Sequence, residues 1–114
     1  MATFEQGDTV RVPFPYTDRP IRQRRPALVV SNGAIGDSEG LLWVVMITSA
    51  ENRPWPDDLP LGDSQSSAGL SAPSVIRPCK IATVEAHDVE RLGRVTPALT
   101  ASAARTLRRY LNLS

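Results

Sequence analysis

The chain has 114 residues, a net charge of +1, 41% apolar and 22% charged residues. This length predicts one domain, residues 1–114, and the composition excludes a disordered chain. The single cysteine, Cys79, excludes a disulfide framework and a cysteine-based zinc site. The longest apolar run, 41–47, is too short to cross a membrane, and residues 1–8 lack the apolar segment of a signal peptide, so we expect a cytoplasmic protein.

The first half of the chain predicts three strands. Residues 10–14 alternate between apolar and other side chains, which indicates a strand with one buried face. The Pro-Phe-Pro sequence at 13–15 ends that strand or confines it to a sheet edge. Residues 15–24 are polar and basic and predict an exposed loop. The apolar runs 26–30 and 41–47 predict central strands that are buried on both faces.

The second half begins with short elements. Residues 50–72 are rich in Pro, Asp, Ser and Gly and predict mainly loops. Three short strands are predicted at residues 59–61, 74–77 and 80–84. Pro78 separates the last two of these strands. Residues 87–92 predict a helical turn.

The C-terminal segment predicts a helix, with Thr96 as the N-cap and Pro97 at the first helical position. Five apolar residues at helical spacing predict one buried stripe: Leu99, Ala103, Leu107, Tyr110 and Leu111. Three arginines near the helix C-terminus suit the helix dipole and predict a solvated face: Arg105, Arg108 and Arg109. The predicted fold is therefore mainly β (α+β), a small antiparallel barrel or sheet with a C-terminal α-helix.

Several common catalytic motifs are missing from the sequence. It has no glycine-rich phosphate loop, no histidine pair for a metal and no nucleophile with a suitable histidine partner. We therefore expect no metal and no cofactor. The single histidine, His87, is predicted to be exposed, and Cys79 to be a half-buried thiol. Trp43 lies within an apolar run and predicts a place in the core or in a dimer interface.

A basic segment, residues 19–25, contains four arginines and no acid. Its last residue, Arg25, begins the second predicted strand, and Thr48 follows the third. If these strands are antiparallel neighbours, the two Cβ atoms lie about 4.5–8 Å apart. A guanidinium beside the Thr48 and Ser49 hydroxyls would form a phosphate clamp. From spacing alone, an Arg25 paired with an acid and a Thr48 that merely suits a strand is the favoured interpretation.

Seven short motifs follow one another over nearly the whole chain. They are GDTVRVPFPYTD at 7–18, RRPALVVS at 24–31, ITS at 47–49, GL at 69–70, PSVIR at 73–77, KIAT at 80–83 and LGRV at 92–95. In this order they resemble the MazF/PemK family, the toxins of bacterial type II toxin–antitoxin systems. Each motif is moderately specific, and the ordered set carries the resemblance.

The resemblance implies an SH3-like barrel that forms a homodimer. It implies a metal-independent endoribonuclease that cuts single-stranded RNA at short sequences, and a cognate antitoxin whose flexible tail fills the RNA groove. It assigns the catalytic roles to Arg25 and Thr48. The substrate-binding positions that it implies are Gln23, Arg24, Ser49 and Arg77, the first two in a mobile loop before the second strand.

The chain departs from the resemblance at the proton acceptor. Some relatives carry a carboxylate in the loop equivalent to residues 19–25, where this chain has none. Some also carry an acid where this chain has Cys79. The expected chemistry is attack by the RNA 2′-hydroxyl, with Arg25 and Thr48 stabilising the charge on the phosphate oxygens. The products would be a 2′,3′-cyclic phosphate and a 5′-hydroxyl.

Bases of single-stranded RNA can be splayed out and stacked on side chains. The loops at residues 15–24 and 50–72 are the expected readers of the RNA sequence, with Tyr16, Arg53 and Trp55 as candidate stacking surfaces. For Trp55, which is flanked by two prolines, packing within its loop is an equal alternative.

Two other functions stay open. The first is a gyrase-binding toxin of the CcdB type, although those proteins depend on a tryptophan-containing C-terminal tail and this chain ends Leu-Asn-Leu-Ser. The second is a catalytically inactive RNA-binding module of the same fold, which the missing loop carboxylate supports.

Overall fold

The structure, a computed structural model, describes residues 3–15 and 22–113, and the side chains of all of these except 14, 15, 22 and 23. The described residues form six strands and one helix. The strands are β1 (Asp8–Pro15), β2 (Arg22–Val29), β3 (Leu41–Ser49), β4 (Leu59–Pro60), β5 (Ser74–Glu85) and β6 (Glu90–Arg94), and the helix is α1 (Pro97–Tyr110).

All strand pairs are antiparallel, and the order in the sheet is β4-β5-β3-β2-β1-β6. The sheet curls into a half-barrel, which confirms the predicted mainly β fold with a C-terminal helix. Residues 62–69 bridge the two sheet edges, since Ser67 O accepts from Arg94 N at 2.9 Å and Ala68 O accepts from Thr9 Oγ1 at 2.7 Å. A Cβ at Gly93 would lie 2.2 Å from Ser67 O, so this close approach requires glycine.

Alternation along the strands builds two hydrophobic clusters, one on each face of the sheet. One contains Phe4, Val10, Val12, Ala27, Val29, Leu42, Val44 and Met46, and we call this side the far face. The other contains Leu28, Val45, Ile47, Leu61, Ala68, Ile76, Val95 and Ala103, and we call it the helix face because α1 packs there. The strands β2 and β3 contribute to both clusters, as their continuous apolar runs predicted.

The helix begins as predicted, with the Thr96 hydroxyl accepting a hydrogen bond from Leu99 N at 3.3 Å. Ala103 is buried, and Leu99 and Leu107 pack against the helix-face cluster. The last part of the predicted stripe was wrong, because Tyr110 is 42% exposed. Leu111, 65% exposed, also lies outside the packed surface. No helix in the described ranges is long and apolar enough to span a membrane.

Three predicted element boundaries were wrong. Strand β2 begins at Arg22, so residues 22–24 belong to the strand and pair with residues 13–15 of β1. Backbone pairing needs no apolar side chain, so hydropathy did not reveal this extension of β2. Residues 16–21 of the predicted loop lie outside the described residues. Strand β6 pairs with β1 only as far as Arg11. The Pro-Phe-Pro segment at 13–15 therefore has a paired strand, β2, on one side only, which confirms its edge position.

The two short strands predicted around Pro78 are one continuous strand, β5. Met46 faces Arg77, whereas the adjacent Val45 faces Ile81, so residues 78–80 bulge out of the ladder. A bulge leaves backbone N–H groups unpaired, and a proline can therefore stay within the strand. The predicted turn at 87–92 is a single 3₁₀ turn, Ala86–Asp88, followed by β6.

Candidate functional site at the ends of β2 and β3

The predicted antiparallel pairing of β2 with β3 is confirmed. Ala27 faces Met46, and Leu28 faces Val45. The β2–β3 pairing ends at Ala27 and Met46, and its register extended by two residues would bring Arg25 opposite Thr48. Alternation directs both side chains to the far face, since Ala27 and Met46 belong to that cluster. The extended register would therefore bring the guanidinium and the hydroxyl to neighbouring strand positions just beyond the paired segment.

Arg25 is half-buried, and it is held in a strand that has β1 on its other side, where it faces Val12. Its neighbour Arg24 is exposed and, by alternation, belongs to the helix face. The loop predicted for Gln23 and Arg24 was wrong, because both are strand residues of β2. The side chain of Gln23 lies outside the described residues.

Thr48 is almost completely buried, and its hydroxyl has a close neighbour. Asn52 Nδ2 donates a hydrogen bond to Thr48 Oγ1 at 2.6 Å. Asn52 reaches back because the chain turns directly after β3, where Asn52 N donates to Ser49 O at 3.1 Å. Serine and asparagine favour such turns.

Ser49, which the resemblance placed along the groove, serves this turn. Its Oγ accepts a hydrogen bond from Glu51 N at 3.2 Å. Alternation also puts the Ser49 side chain on the helix face, whereas the Thr48 side chain lies on the far face. The structure therefore does not bring the two hydroxyls together.

Arg77 has a different environment from the one expected. Its Nε and Nη2 donate to the two carboxylate oxygens of Asp58, each at 3.0 Å, and Nη2 also donates to Arg53 O at 3.0 Å. The guanidinium carbon lies 4.3 Å from the centre of the Trp55 ring. The Arg77 and Asp58 side chains are only 8% and 10% exposed. The planar fork of this arginine is thus filled by a carboxylate.

These contacts shift both ionisation equilibria. The hydrogen bonds from Arg77 hold the pKa of Asp58 below its usual value, against the opposing effect of burial. The hydrogen bonds that Arg77 donates to Asp58 raise the pKa of Arg77 in turn. The pair therefore stays charged at neutral pH and ties the segment 50–58, which we call the β3–β4 loop, to β5.

The β3–β4 loop has a second attachment, to the end of α1. Asp57 accepts a hydrogen bond from Tyr110 Oη at 2.8 Å and lies 2.7 Å from Arg109 Nη2. Hydrogen bonds from Arg109 and Tyr110 lower the pKa of Asp57. Adjacent aspartates thus fasten one loop to β5 and to the helix.

Sequence reasoning missed Asn52 and Asp58. Both lie in the proline-rich stretch that was interpreted as loop. The sequence does show polar residues shortly after Thr48, which could have marked them as candidates. The hydrogen-bond partners of Asn52 and Asp58, however, depend on the path of the loop.

Other candidate residues lie apart from the strand ends. Glu85, His87 and Asp88 are exposed and bring three potential metal ligands within 4.8 Å of one another. Glu85 faces Leu41 at the start of β3, about 23 Å of strand from Thr48. The exposure predicted for His87 is confirmed. Cys79 is exposed, so the prediction of a half-buried thiol was wrong.

An apolar cavity of about 830 Å³ opens on the helix face, beside the end of α1. Trp43, Ile81 and Tyr110 line it and are 48%, 52% and 42% exposed. Trp43 is therefore not part of the core of this chain. The alternative prediction for Trp43, a place in a dimer interface, stays open.

The described elements define a class of small protein built on a curled antiparallel sheet with a C-terminal helix. The model of the PemK-like, MazF-like toxins of type II toxin–antitoxin systems matches residues 5–111. The chain belongs to this family.

Solved structures of similar fold cover nearly the whole chain. MazF from Deinococcus radiodurans is 22% identical, with a TM-score of 0.77 over 99% of this chain and 100% of that one. A MazE–MazF complex from the same organism is 23% identical, with a TM-score of 0.75 and full coverage of both chains. An endoribonuclease in complex with its cognate antitoxin, from a mycobacterial species, is 23% identical, with a TM-score of 0.74 over 100% and 98% of the two chains. No curated protein matches the chain significantly.

Proposed function

We propose that the protein is a toxin that cleaves single-stranded RNA in the cytoplasm as a sequence-specific endoribonuclease. Membership of the MazF-like toxin family supports this activity, as does the similar fold of an endoribonuclease that was solved with its antitoxin. The observation that supports the proposal is the antiparallel β2–β3 pairing, whose register extended by two residues would bring Arg25 opposite Thr48.

The reaction uses the nucleophile that RNA already carries. The 2′-hydroxyl attacks the adjacent phosphorus, the bond to the 5′-oxygen breaks, and the products are a 2′,3′-cyclic phosphate and a 5′-hydroxyl. Negative charge grows on the non-bridging oxygens, and fixed donors aimed at that charge are commonly the largest catalytic contribution. No metal-activated water is needed, because no water attacks in this step.

Arg25 suits the role of charge stabiliser. Its guanidinium offers two parallel N–H donors to the phosphate, and a guanidinium has no lone pair available to accept a proton, so it is a poor base. It can instead donate a proton to the departing 5′-oxygen. The pairing of Arg25 with Val12 of β1 holds its backbone in place, which helps to keep the donors organised before the reaction begins.

The proton of the 2′-hydroxyl needs an acceptor. Residues 19–25 contain no carboxylate, and Asp58 is occupied by Arg77. We therefore assign this proton to solvent.

The remaining expected substrate contacts divide by environment. Arg24 is exposed on the helix face, on the other side of the strand from Arg25, and keeps its proposed RNA contact on the strength of the resemblance. Gln23 keeps the same proposed role on the strength of the resemblance. For Arg77 and Ser49 we propose a structural supporting role. The guanidinium of Arg77 is already hydrogen-bonded to Asp58, and the hydroxyl of Ser49 stabilises the turn after β3. Trp55 packs against Arg77, which favours loop packing over base stacking.

A substrate with a single 2′-deoxy nucleotide at the cut site tests the chemistry. We expect it to bind with unchanged affinity and to stay intact, because the nucleophile is missing. The all-RNA substrate should yield cyclic phosphate and 5′-hydroxyl ends, in the presence of EDTA as well. Cutting of the deoxy substrate would refute the mechanism. An all-RNA substrate that binds but stays whole would support the inactive RNA-binding module instead, and trapping of gyrase on DNA would support the CcdB-like alternative.

Two protein partners complete the proposal. Solved relatives include a toxin bound to its cognate antitoxin, and we propose a cognate antitoxin that blocks the far face near Arg25. We also propose a homodimer formed through the exposed apolar residues around Trp43. Sedimentation of the wild type and of a Trp43→Glu variant tests the dimer, since a buried charge would dissociate it. An unchanged sedimentation coefficient would contradict this interface.

A further inference from the structure

We propose that Asn52 is a positioning residue that makes the Thr48 hydroxyl a hydrogen-bond donor toward the scissile phosphate. This inference rests on the proposed endoribonuclease function and adds a residue that the family motifs do not include. With one lone pair taken by Asn52, the Thr48 hydroxyl keeps its proton for a phosphate oxygen and one further lone pair.

The argument begins with the inventory of the hydroxyl group. A threonine hydroxyl has one proton and two lone pairs. Asn52 Nδ2 lies 2.6 Å from Thr48 Oγ1 and donates to it, so one lone pair is occupied. The hydroxyl proton must then point away from Asn52. Within residues 3–15 and 22–113, no group accepts that proton.

The direction left to the proton is constrained by packing. Thr48 is only 8% exposed, and alternation places its side chain on the far face, where the β2–β3 register extended by two residues would bring Arg25 opposite it. A phosphate held by the guanidinium of Arg25 would present its non-bridging oxygens to the Thr48 proton. Two donors would then stabilise the same developing charge.

The position of Asn52 is itself well supported. Asn52 N donates to Ser49 O at 3.1 Å, and Ala50 N donates to Pro73 O at 3.0 Å, so the turn is fixed to its own strand and to the chain beside it. Farther along the same loop, Asp58 is bound to the buried guanidinium of Arg77. The loop therefore carries Asn52 as a rigid support for Thr48.

The decisive variant is Asn52→Asp, which preserves the shape and the turn preference of the side chain. A carboxylate accepts hydrogen bonds only, so it would take the Thr48 proton and turn it away from the phosphate. We expect kcat for a short RNA to fall about 100-fold, the loss typical of one fixed donor, while KM and Tm stay close to the wild type. Asn52→Ala should lose less, about tenfold, because water can replace the amide.

A matched control separates the hydrogen bond from the added charge. Ala50→Asp puts the same charge on an exposed residue of the same turn, and we expect its kcat to stay within twofold of the wild type. In a Thr48→Ala background, Asn52→Asp should cause no further loss, because Asn52 acts through the Thr48 hydroxyl. A merely structural Asn52 would instead tolerate Asp better than Ala.

Each result decides the inference. Full kcat for Asn52→Asp, an equal loss for Ala50→Asp, or additive losses in the Thr48→Ala background would each overturn it. In all three cases the wild type would still cleave RNA and the proposed function would stand. A wild-type chain that leaves RNA intact would refute the proposed function, and the positioning role with it.

Discussion

Two arginines of the far face show how differently one sheet can use the same side chain. Arg25 is half-buried within β2, and the β2–β3 register extended by two residues would bring it opposite Thr48. Arg77 lies in β5, opposite Met46, where Asp58 fills its fork and Trp55 covers it. A buried charge that has a bidentate partner stabilises local structure, whereas Arg25 is the arginine proposed to contact the RNA phosphate. The residue type alone does not separate the two roles.

The largest expected effect is the loss of RNA-cleaving activity when Arg25 is removed. Arg25→Ala should lower RNA cleavage by at least about 100-fold, on the order of 3 kcal/mol of transition-state stabilisation. Because Arg25 is only half-buried, the melting temperature of the Arg25→Ala variant should stay close to that of the wild type. Steady-state cleavage and thermal denaturation measure the two effects. Arg108→Ala, an exposed arginine of α1, controls for loss of positive charge. Cleavage by Arg25→Ala at the wild-type rate would remove Arg25 from the site.

The converse change should act mainly on stability. Arg77→Met leaves the carboxylate of Asp58 buried and unpaired, which typically costs about 3 kcal/mol. Urea denaturation should show a lower midpoint at unchanged slope. The double variant Arg77→Met with Asp58→Leu should recover much of the loss, since no buried charge is left without a partner. If Arg77→Met keeps wild-type stability, the contrast between the two arginines fails.

Acid should weaken the Arg77–Asp58 pair selectively. The pKa of Asp58 is lower in the folded chain than in the unfolded one, so its contribution to stability is complete above the unfolded pKa of about 4. That contribution fades as the pH falls through the folded pKa. Between pH 5 and pH 2, the free energy of unfolding should therefore decrease more for the wild type than for Asp58→Asn. Parallel curves for the two chains would argue against the ionised pair.

The smallest expected effect concerns the attachment of the β3–β4 loop to α1. Asp57 and Arg109 are both substantially exposed, so solvent and salt screen their interaction. Asp57→Asn should lower the melting temperature less than Arg77→Met does, and added salt should reduce the difference from the wild type further. A loss as large as that of Arg77→Met would show that both attachments of the loop matter equally.

Much of this protein could be predicted from local patterns. Alternation in β1, the continuous apolar runs of β2 and β3, and the Thr96–Pro97 helix start were all confirmed. The pairing of β2 with β3 was also predictable. These features depend on side-chain periodicity and on neighbours along one element, which a sequence displays directly.

The tertiary structure alone decided which polar groups meet. Arg77 and Asp58 are 19 residues apart, and their pairing depends on the path of a loop that has no periodic pattern. The contact of Asn52 with Thr48 depends on the turn after β3, and the exposure of Trp43 depends on where α1 ends. Local sequence sets the face on which a side chain lies. Its partner across space follows from loop geometry and from the charges that folding buries together.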